Sequence, residues 1–279
     1  MINYIMLILK HAELFTKSEQ VRKRFLRKLV RNIKSALPDA KVNNRRMRIF
    51  VYAGNEEKAV EILRRVFGIS SVAIGTEMRF DMEAVKRKAL EISKAWDGSF
   101  AVKSQRLTKD IDMTSQQISS SIGAFIKKHR GLEVDLKNPK HVLFVEYFEG
   151  NAYLYTRTFQ AVSGLPLSTA GKIIVENSDP YSLLSAWLMM RRGASIILRG
   201  SKDFLRYWDY GAEVEELAEI GDQEIQRADG IARPYISESS FVNGLPVFYP
   251  LAALDKKTCN KLLSFISKGE LPPSFDLLL

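Results

Sequence analysis

A six-residue turn between a short apolar segment and a predicted helix has the position of a phosphate site. The segment from Gly171 to Gly193 predicts a buried strand, a tight turn and a helix, without an intervening glycine. In an α/β enzyme, a phosphate binds at such a turn because the first N–H groups of the helix point towards it. The residues of this turn are Asn177, Ser178, Asp179, Pro180, Tyr181 and Ser182.

The residue types of this turn favour a helix cap over an anion site. Asp179 is placed to cap a helix that starts at Pro180, and its carboxylate would then occupy the helix N-terminus and repel a phosphate. Pro180 has no N–H to donate. We therefore predict that the turn does not hold a nucleotide and that the function lies in the basic part of the chain before it.

Cysteine and histidine give no further site for chemistry. Cys259 is the only cysteine, which excludes an internal disulfide and a cysteine cluster around a metal. We interpret it as a structural thiol on an amphipathic helix. His11, His129 and His141 are far apart and fit no zinc-binding spacing. No metal and no cofactor is predicted.

The positive charge is concentrated in the front of the chain. Residues 1–172 carry a net charge of +14 and residues 173–279 a net charge of −4, which together give the +10 of the 279-residue chain. This division favours a polyanion as the partner of the front part. A basic surface without any such partner is the alternative interpretation.

One predicted helix, from about Glu19 to Leu37, carries much of this charge. Its apolar residues recur at helical spacing, and seven cations lie between Arg22 and Lys34 without a carboxylate among them. Such a helix repels itself unless an anion lies along it. A second group of cations surrounds a strand predicted from Ser99 to Arg106. We predict phosphate contacts from Lys17, Arg22, Arg27, Lys28, Arg31, Lys103, Arg106 and Lys109.

The elements that position these residues alternate between strand and helix. Residues 1–77 follow the split βαβ pattern of a ferredoxin-like domain, with strands at Ile2–Leu9, Arg48–Ala53 and Ile69–Ile74. A parallel α/β arrangement is predicted from Lys172 onward. No apolar segment has the length of a signal peptide or a membrane span, so we expect a cytoplasmic, soluble protein that does not bind membranes.

Several segments, in this order, resemble the tRNA 4-thiouridine synthetases, which are also known as thiamine-biosynthesis sulfurtransferases. The similarity covers about residues 1–200. The segments are ELFTKSEQVRKRFLRKLVRNI from Glu13, VFGISS from Val66, Ser99 to Lys109 followed by Thr114-Ser115, Gly164-Leu165-Pro166 to Gly171-Lys172, and AWLMMRRG from Ala186.

This resemblance implies a ferredoxin-like domain (1–77), a THUMP RNA-binding domain (78–167) and a shortened Rossmann-like PP-loop-type α/β domain (168–279). The whole is an α+β and α/β multidomain fold. The family's nucleotide loop reads SGGxDS, and its two glycines let backbone N–H groups approach ATP. Here residues 177–182 lack both glycines, and Tyr181 replaces the aspartate. Cys259 also stands alone where the family uses cysteines for sulfur transfer.

Three functions are compatible with these observations. The first is a non-catalytic tRNA-binding scaffold or adaptor in tRNA modification, holding tRNA near its acceptor stem. The second is an active tRNA sulfurtransferase that makes 4-thiouridine, which would need ATP and magnesium at residues 177–182 and a persulfide on Cys259. In the third, which is compatible with the first, the C-terminal domain recruits a separate catalytic subunit or forms a homodimer.

Overall fold

The computed structural model describes residues 5–11, 18–45, 47–176, 178–210, 213–237 and 240–272. Within these residues the chain forms an eight-stranded sheet and a six-stranded sheet, with helices packed on both. Among the same residues, no helix is long and apolar enough to cross a membrane. The predicted mixed α/β multidomain fold is confirmed.

The first part of the chain has the predicted βαββαβ order. One strand of this order, with the sequence KVNNR, was not among the predicted strands and pairs antiparallel with the next strand. It lacks alternating apolar residues because it lies at the edge of the sheet. The elements are β1 (Ile5–His11), α1 (Glu19–Ala36), β2 (Lys41–Arg45), β3 (Arg48–Ala53), α2 (Glu56–Arg65) and β4 (Ile69–Arg79).

The second part adds four strands to the same sheet. Strand β8 pairs antiparallel with β4, so the sheet runs through the predicted boundary at residue 77 without a break, in the order β2-β3-β1-β4-β8-β7-β5-β6. The added elements are α3 (Met82–Ser93), β5 (Ser99–Arg106), α4 (Ser115–Arg130), β6 (Glu133–Val134), β7 (His141–Phe148) and β8 (Asn151–Gln160).

Helices α1 to α4 cover one face of this sheet, in two apolar clusters. In α1, Phe25, Leu26, Leu29 and Ile33 are buried, which confirms the predicted apolar stripe. The opposite face is strongly curved. Arg48 on β3 forms an ion pair of 2.8 Å with Glu146 on β7, although β1, β4 and β8 lie between the two strands.

The C-terminal part is a parallel sheet with one antiparallel edge strand, in the order β11-β10-β9-β12-β14-β13. The chain leaves β9 towards β10 and β11 and returns on the other side of β9 with β12. The space between β9 and β12 is therefore a topological switch point. The elements are β9 (Lys172–Glu176), α5 (Pro180–Arg191), β10 (Ser195–Arg199), a short 3-10 helix (Asp203–Leu205), β11 (Val214–Leu217), α6 (Asp222–Gln226), β12 (Gly230–Ala232), β13 (Phe241–Val242), β14 (Leu245–Phe248) and α7 (Lys256–Ile266).

The front and the C-terminal part are packed together. Phe67 contacts Trp187 and Trp208, with ring centroids 5.8 and 5.9 Å apart, and both tryptophans are fully buried. The connection between the parts is fixed as well. Gly164 adopts φ +76°, and a Cβ there would lie 2.2 Å from the Arg191 carbonyl oxygen. The geometry at this position therefore requires glycine.

Candidate functional site

The turn after β9 is a closed helix cap in the residues that the structure describes. Asp179 is the N-cap of α5, and one of its carboxylate oxygens accepts a 2.8 Å hydrogen bond from the Ser182 N–H. Pro180 is the first helical residue. An anion at this helix N-terminus would therefore have to displace a carboxylate that already binds there. Asn177, which belongs to the predicted turn, lies outside the described residues.

Two tyrosine hydroxyls connect the start of α5 to other segments of the chain. The Tyr235 hydroxyl donates a 3.0 Å hydrogen bond to the other carboxylate oxygen of Asp179. The Tyr181 hydroxyl donates a 2.6 Å hydrogen bond to the side-chain oxygen of Asn260 on α7. Tyr235 has no local sequence signal linking it to the turn, because the contact forms only when β12 returns beside β9.

The two serines of the turn are also engaged. Their hydroxyl oxygens, on Ser178 and Ser182, lie 2.9 Å apart, and the Ser182 hydroxyl lies 3.3 Å from the Asp179 carboxylate. Ser182 is fully buried. These hydroxyl groups therefore stabilise the turn itself.

A cleft of about 180 Å³ remains at the switch point between β9 and β12. Glu176 and Ser178 line one side, and Ile231, Arg233 and Tyr235 line the other. Glu176 also lies 3.6 Å from the guanidinium of Arg199 at the end of β10. A doubly wound sheet binds its ligand at this position. In this chain the Tyr235 hydroxyl, which lines the cleft, donates its hydrogen bond to the Asp179 carboxylate of the helix cap.

Cys259 lies on α7 with its side chain buried. Burial, and then the nearby Asp255 carboxylate, raise the pKa of its thiol. A raised pKa disfavours the thiolate that nucleophilic sulfur chemistry requires. Among the residues that the structure describes, no three His, Cys, Asp or Glu side chains are grouped to hold a metal ion.

The cations predicted to contact RNA form two separate groups. Arg22, Arg27, Lys28 and Arg31 lie on α1, where Arg27 and Arg31 are exposed and the other two are half-buried. Lys17 lies outside the described residues.

The second group lies at the other end of the eight-stranded sheet, at β5 and just after it. Lys103 and Lys109 are exposed. Arg106 is half-buried, and its guanidinium donates a 3.1 Å hydrogen bond to the carbonyl oxygen of Ile111. Strands β4, β8 and β7 separate β5 from β1, over which α1 packs. The structure therefore places one group on α1 and the other at β5 and just after it.

Arg31 has a partner that the sequence did not reveal. Its guanidinium forms an ion pair of 2.5 Å with Glu213, which lies just before β11. The Glu213 carboxylate also accepts hydrogen bonds from Ser168 and, at 3.2 Å, from Ser195. Burial by itself would raise the pKa of the Glu213 carboxyl, but the hydrogen bonds from Ser168, Arg31 and Ser195 outweigh it and lower that pKa.

A second charged cluster lies inside the curved sheet. Glu146 accepts hydrogen bonds from Arg48 and Tyr155 and lies 3.0 Å from the amine of Lys10. Burial alone would raise the pKa of Glu146, but Arg48 and then Lys10 and Tyr155 lower it. The ion pair between Arg48 and Glu146 therefore joins β3 and β7 across the curved face of the sheet.

The front of the chain matches two described domains. The ThiI ferredoxin-like domain matches residues 6–73, and the THUMP domain matches residues 79–157. A Methanobrevibacter smithii protein named "Probable tRNA sulfurtransferase" is 34% identical over 206 residues, which are 70% of this chain and 53% of the relative. The chain thus spans about half the length of that relative.

Another relative and two solved structures extend over nearly the whole chain. A Thermococcus kodakarensis "Probable tRNA sulfurtransferase" is 26% identical over 335 residues, covering 95% of this chain and 88% of the relative. Since that alignment is longer than the 279-residue chain, the relative contains segments that this chain lacks.

The crystal structure of PH1313 from Pyrococcus horikoshii has a TM-score of 0.79 and 27% identity, and the match covers 93% of this chain and 98% of that one. A 4-thiouridine synthetase, solved as an RNA complex with bound ATP, has a TM-score of 0.74 and 21% identity, with 95% and 85% covered. This second likeness shows the fold alone.

Proposed function

We propose that the protein binds tRNA, because the front of this chain matches the ThiI ferredoxin-like domain and the THUMP domain. The observation that carries this proposal is the cationic outer face of α1, whose apolar side is fully used in packing. Cations on such a face contact RNA phosphates and position the RNA without reading its sequence. The proposed contacts are Lys17, Arg22, Arg27, Lys28 and Arg31, with Lys103, Arg106 and Lys109 as a second group.

Salt titration of tRNA binding tests this proposal. If about six phosphates are neutralised, the logarithm of the binding constant should fall with the logarithm of salt concentration with a slope of roughly −4 to −5. Arg27→Ala should reduce the magnitude of that slope by about 0.7 to 0.9. Lys257→Ala, an exposed lysine on α7, is the control. A nearly salt-independent Kd, or no tRNA binding at low salt, contradicts the proposal.

We further propose that the C-terminal domain acts as a scaffold or adaptor without ATP pyrophosphatase activity. The support is local: both carboxylate oxygens of Asp179 are hydrogen-bonded at the helix N-terminus, and Pro180 supplies no N–H. The phosphates of ATP would need the free N–H groups at the N-terminus of α5. The negative charge of the Asp179 carboxylate would repel these phosphates. In this role the domain recruits a separate catalytic subunit or forms a homodimer.

The second candidate is an active tRNA sulfurtransferase with an atypical nucleotide loop. The names of the relatives favour this candidate over the first, since they are called probable tRNA sulfurtransferases. It requires ATP and magnesium at residues 177–182, with the Asp179 cap opened, and a persulfide on Cys259. The burial of Cys259 and the raised pKa of its thiol weigh against that last step.

Equilibrium dialysis of the full chain with ATP and magnesium separates the two candidates. Micromolar ATP binding that is abolished by Ser178→Ala or Ser182→Ala supports the sulfurtransferase. tRNA binding without ATP binding supports the adaptor. Sedimentation of the same protein alone determines whether a homodimer forms.

A further inference from the structure

We propose that Glu213 sets the tRNA affinity of α1 by competing with an RNA phosphate for the guanidinium of Arg31. This inference rests on the proposed tRNA binding. It assigns Glu213 a positioning role, since Glu213 acts on RNA only through Arg31.

Arg31 belongs to the cationic face of α1 and also contacts the C-terminal part of the chain. Its side chain is 59% exposed, and Arg27 lies one helical turn before it on the same face of α1. A phosphate lying along this face would therefore reach Arg31 next to Arg27. At the same time, Arg31 forms its 2.5 Å ion pair with Glu213 across the boundary to the C-terminal part.

Glu213 stays in place whether or not Arg31 binds it. Its N–H donates a 3.0 Å hydrogen bond to Asp209, and its carbonyl oxygen accepts one of 2.9 Å from the Ile196 N–H. The carboxylate also keeps the hydroxyl donors Ser168 and Ser195 when Arg31 leaves. Losing Arg31 therefore does not leave this carboxylate without partners, which makes the exchange feasible.

The buried ion pair inside the curved sheet cannot exchange its partner for a phosphate in this way. The side chains of Arg48 and Glu146 are only 7% and 3% exposed, so neither can leave the other for a solvent-side anion. In the pair between α1 and β11, only the carboxylate is shielded, at 11% exposure. An incoming phosphate can therefore replace Glu213 at the exposed guanidinium.

The competition couples RNA binding to the contact between the two parts. A phosphate that binds the Arg31 guanidinium breaks the ion pair with Glu213, which is one contact between α1 and the C-terminal part. Because this coupling is reciprocal, a weaker ion pair between Arg31 and Glu213 increases the affinity for RNA by the same coupling free energy.

Substitution of Glu213 tests the inference in the full-length protein with tRNA as the probe. Glu213→Gln should raise the association constant about two- to fivefold at low salt, since an ion pair with one exposed member has about that strength. Glu215→Gln is the matched control: it removes the same charge two residues away, where the carboxylate binds Arg227 instead. Glu213→Asp keeps the charge but withdraws the carboxylate from Arg31, so it should also tighten binding.

A double-mutant cycle identifies Arg31 as the group concerned. Arg31→Ala should cost more affinity in the Glu213→Gln background than in the wild type, because Arg31 is then free to bind phosphate. Damage to the fold would weaken binding, whereas the inference requires tighter binding. Equal affinities of the Glu213 variants and the Glu215→Gln control overturn it. If the wild type binds no tRNA at all, the proposed function fails instead.

Discussion

The Tyr235 hydroxyl donates a 3.0 Å hydrogen bond to the Asp179 carboxylate, although the two residues are 56 positions apart in the chain. The other oxygen of the same carboxylate accepts from the Ser182 N–H at 2.8 Å. One side chain therefore caps α5 and ties it to the segment that follows β12. The helix N-terminus at the switch point is occupied by the protein itself.

Asp179→Ala is expected to destabilise the protein through loss of this cap. An N-cap aspartate contributes about 0.5–2 kcal/mol to the free energy of unfolding, and the Tyr235 hydroxyl loses its acceptor as well. Tyr235→Phe removes only the second interaction and should cost less. Urea unfolding of both variants measures the difference. An Asp179→Ala protein as stable as the wild type would show that the cap contributes nothing.

Gly164→Ala is expected to destabilise the connection between the two parts. An added Cβ would lie 2.2 Å from the Arg191 carbonyl oxygen, so the backbone must move. Gly131→Ala is the matched control, because that glycine has a similar positive φ of 68° and no atom within 4 Å of the added Cβ. We expect the control to lose about 1 kcal/mol in the free energy of unfolding, from backbone strain alone. The loss at Gly164 should be clearly larger. Equal losses by thermal unfolding would contradict the close packing.

Arg48→Met is expected to be strongly destabilising, because it leaves the Glu146 carboxylate buried without its bidentate partner. Removing one member of a buried pair costs about 3–5 kcal/mol, and Lys10 at 3.0 Å should keep the loss at the low end. Replacing both residues, as Arg48→Met with Glu146→Leu, should restore much of the lost free energy of unfolding. Chemical unfolding of the single and double variants provides the comparison. A double variant no more stable than the single one would contradict this account.

His11 is expected to make stability depend on pH in a defined window. Burial first, and then the charges of Arg48 and Arg22, lower the pKa of His11 from 6.5 to about 4. The unfolded chain therefore takes up a proton near pH 6.5, whereas the folded protein does so only near pH 4. Stability should fall as the pH falls between these values, by at most about 3 kcal/mol, and then level off.

His11→Gln should remove this part of the pH dependence, and His129→Gln, at an exposed histidine, should leave it unchanged. Unfolding free energies measured from pH 7 to pH 4 test the prediction. Identical pH profiles for wild type and His11→Gln would show that His11 does not titrate as described.

Local features were readable from the sequence. The apolar stripe of α1 depends on residues three and four positions apart, and the Asp179–Pro180 pair forms a cap within one helical turn. The observed helix α1 begins and ends within about a residue of the prediction, and α5 begins at Pro180, as predicted. Strand β2 was missed because its edge position leaves it without an apolar pattern. The phosphate contacts and the loss of ATP binding stay predictions.

The sequence by itself determined that α1 and α5 are helical, where the cations of α1 lie and that Asp179 caps α5. These follow from chemistry between neighbours in the chain. Only the tertiary structure decided that Arg31 meets Glu213, 182 residues away, that Tyr235 closes the cap, and that β4 and β8 join eight strands into one sheet. Such contacts depend on how whole elements pack, and the type of either residue does not indicate which distant residue it contacts.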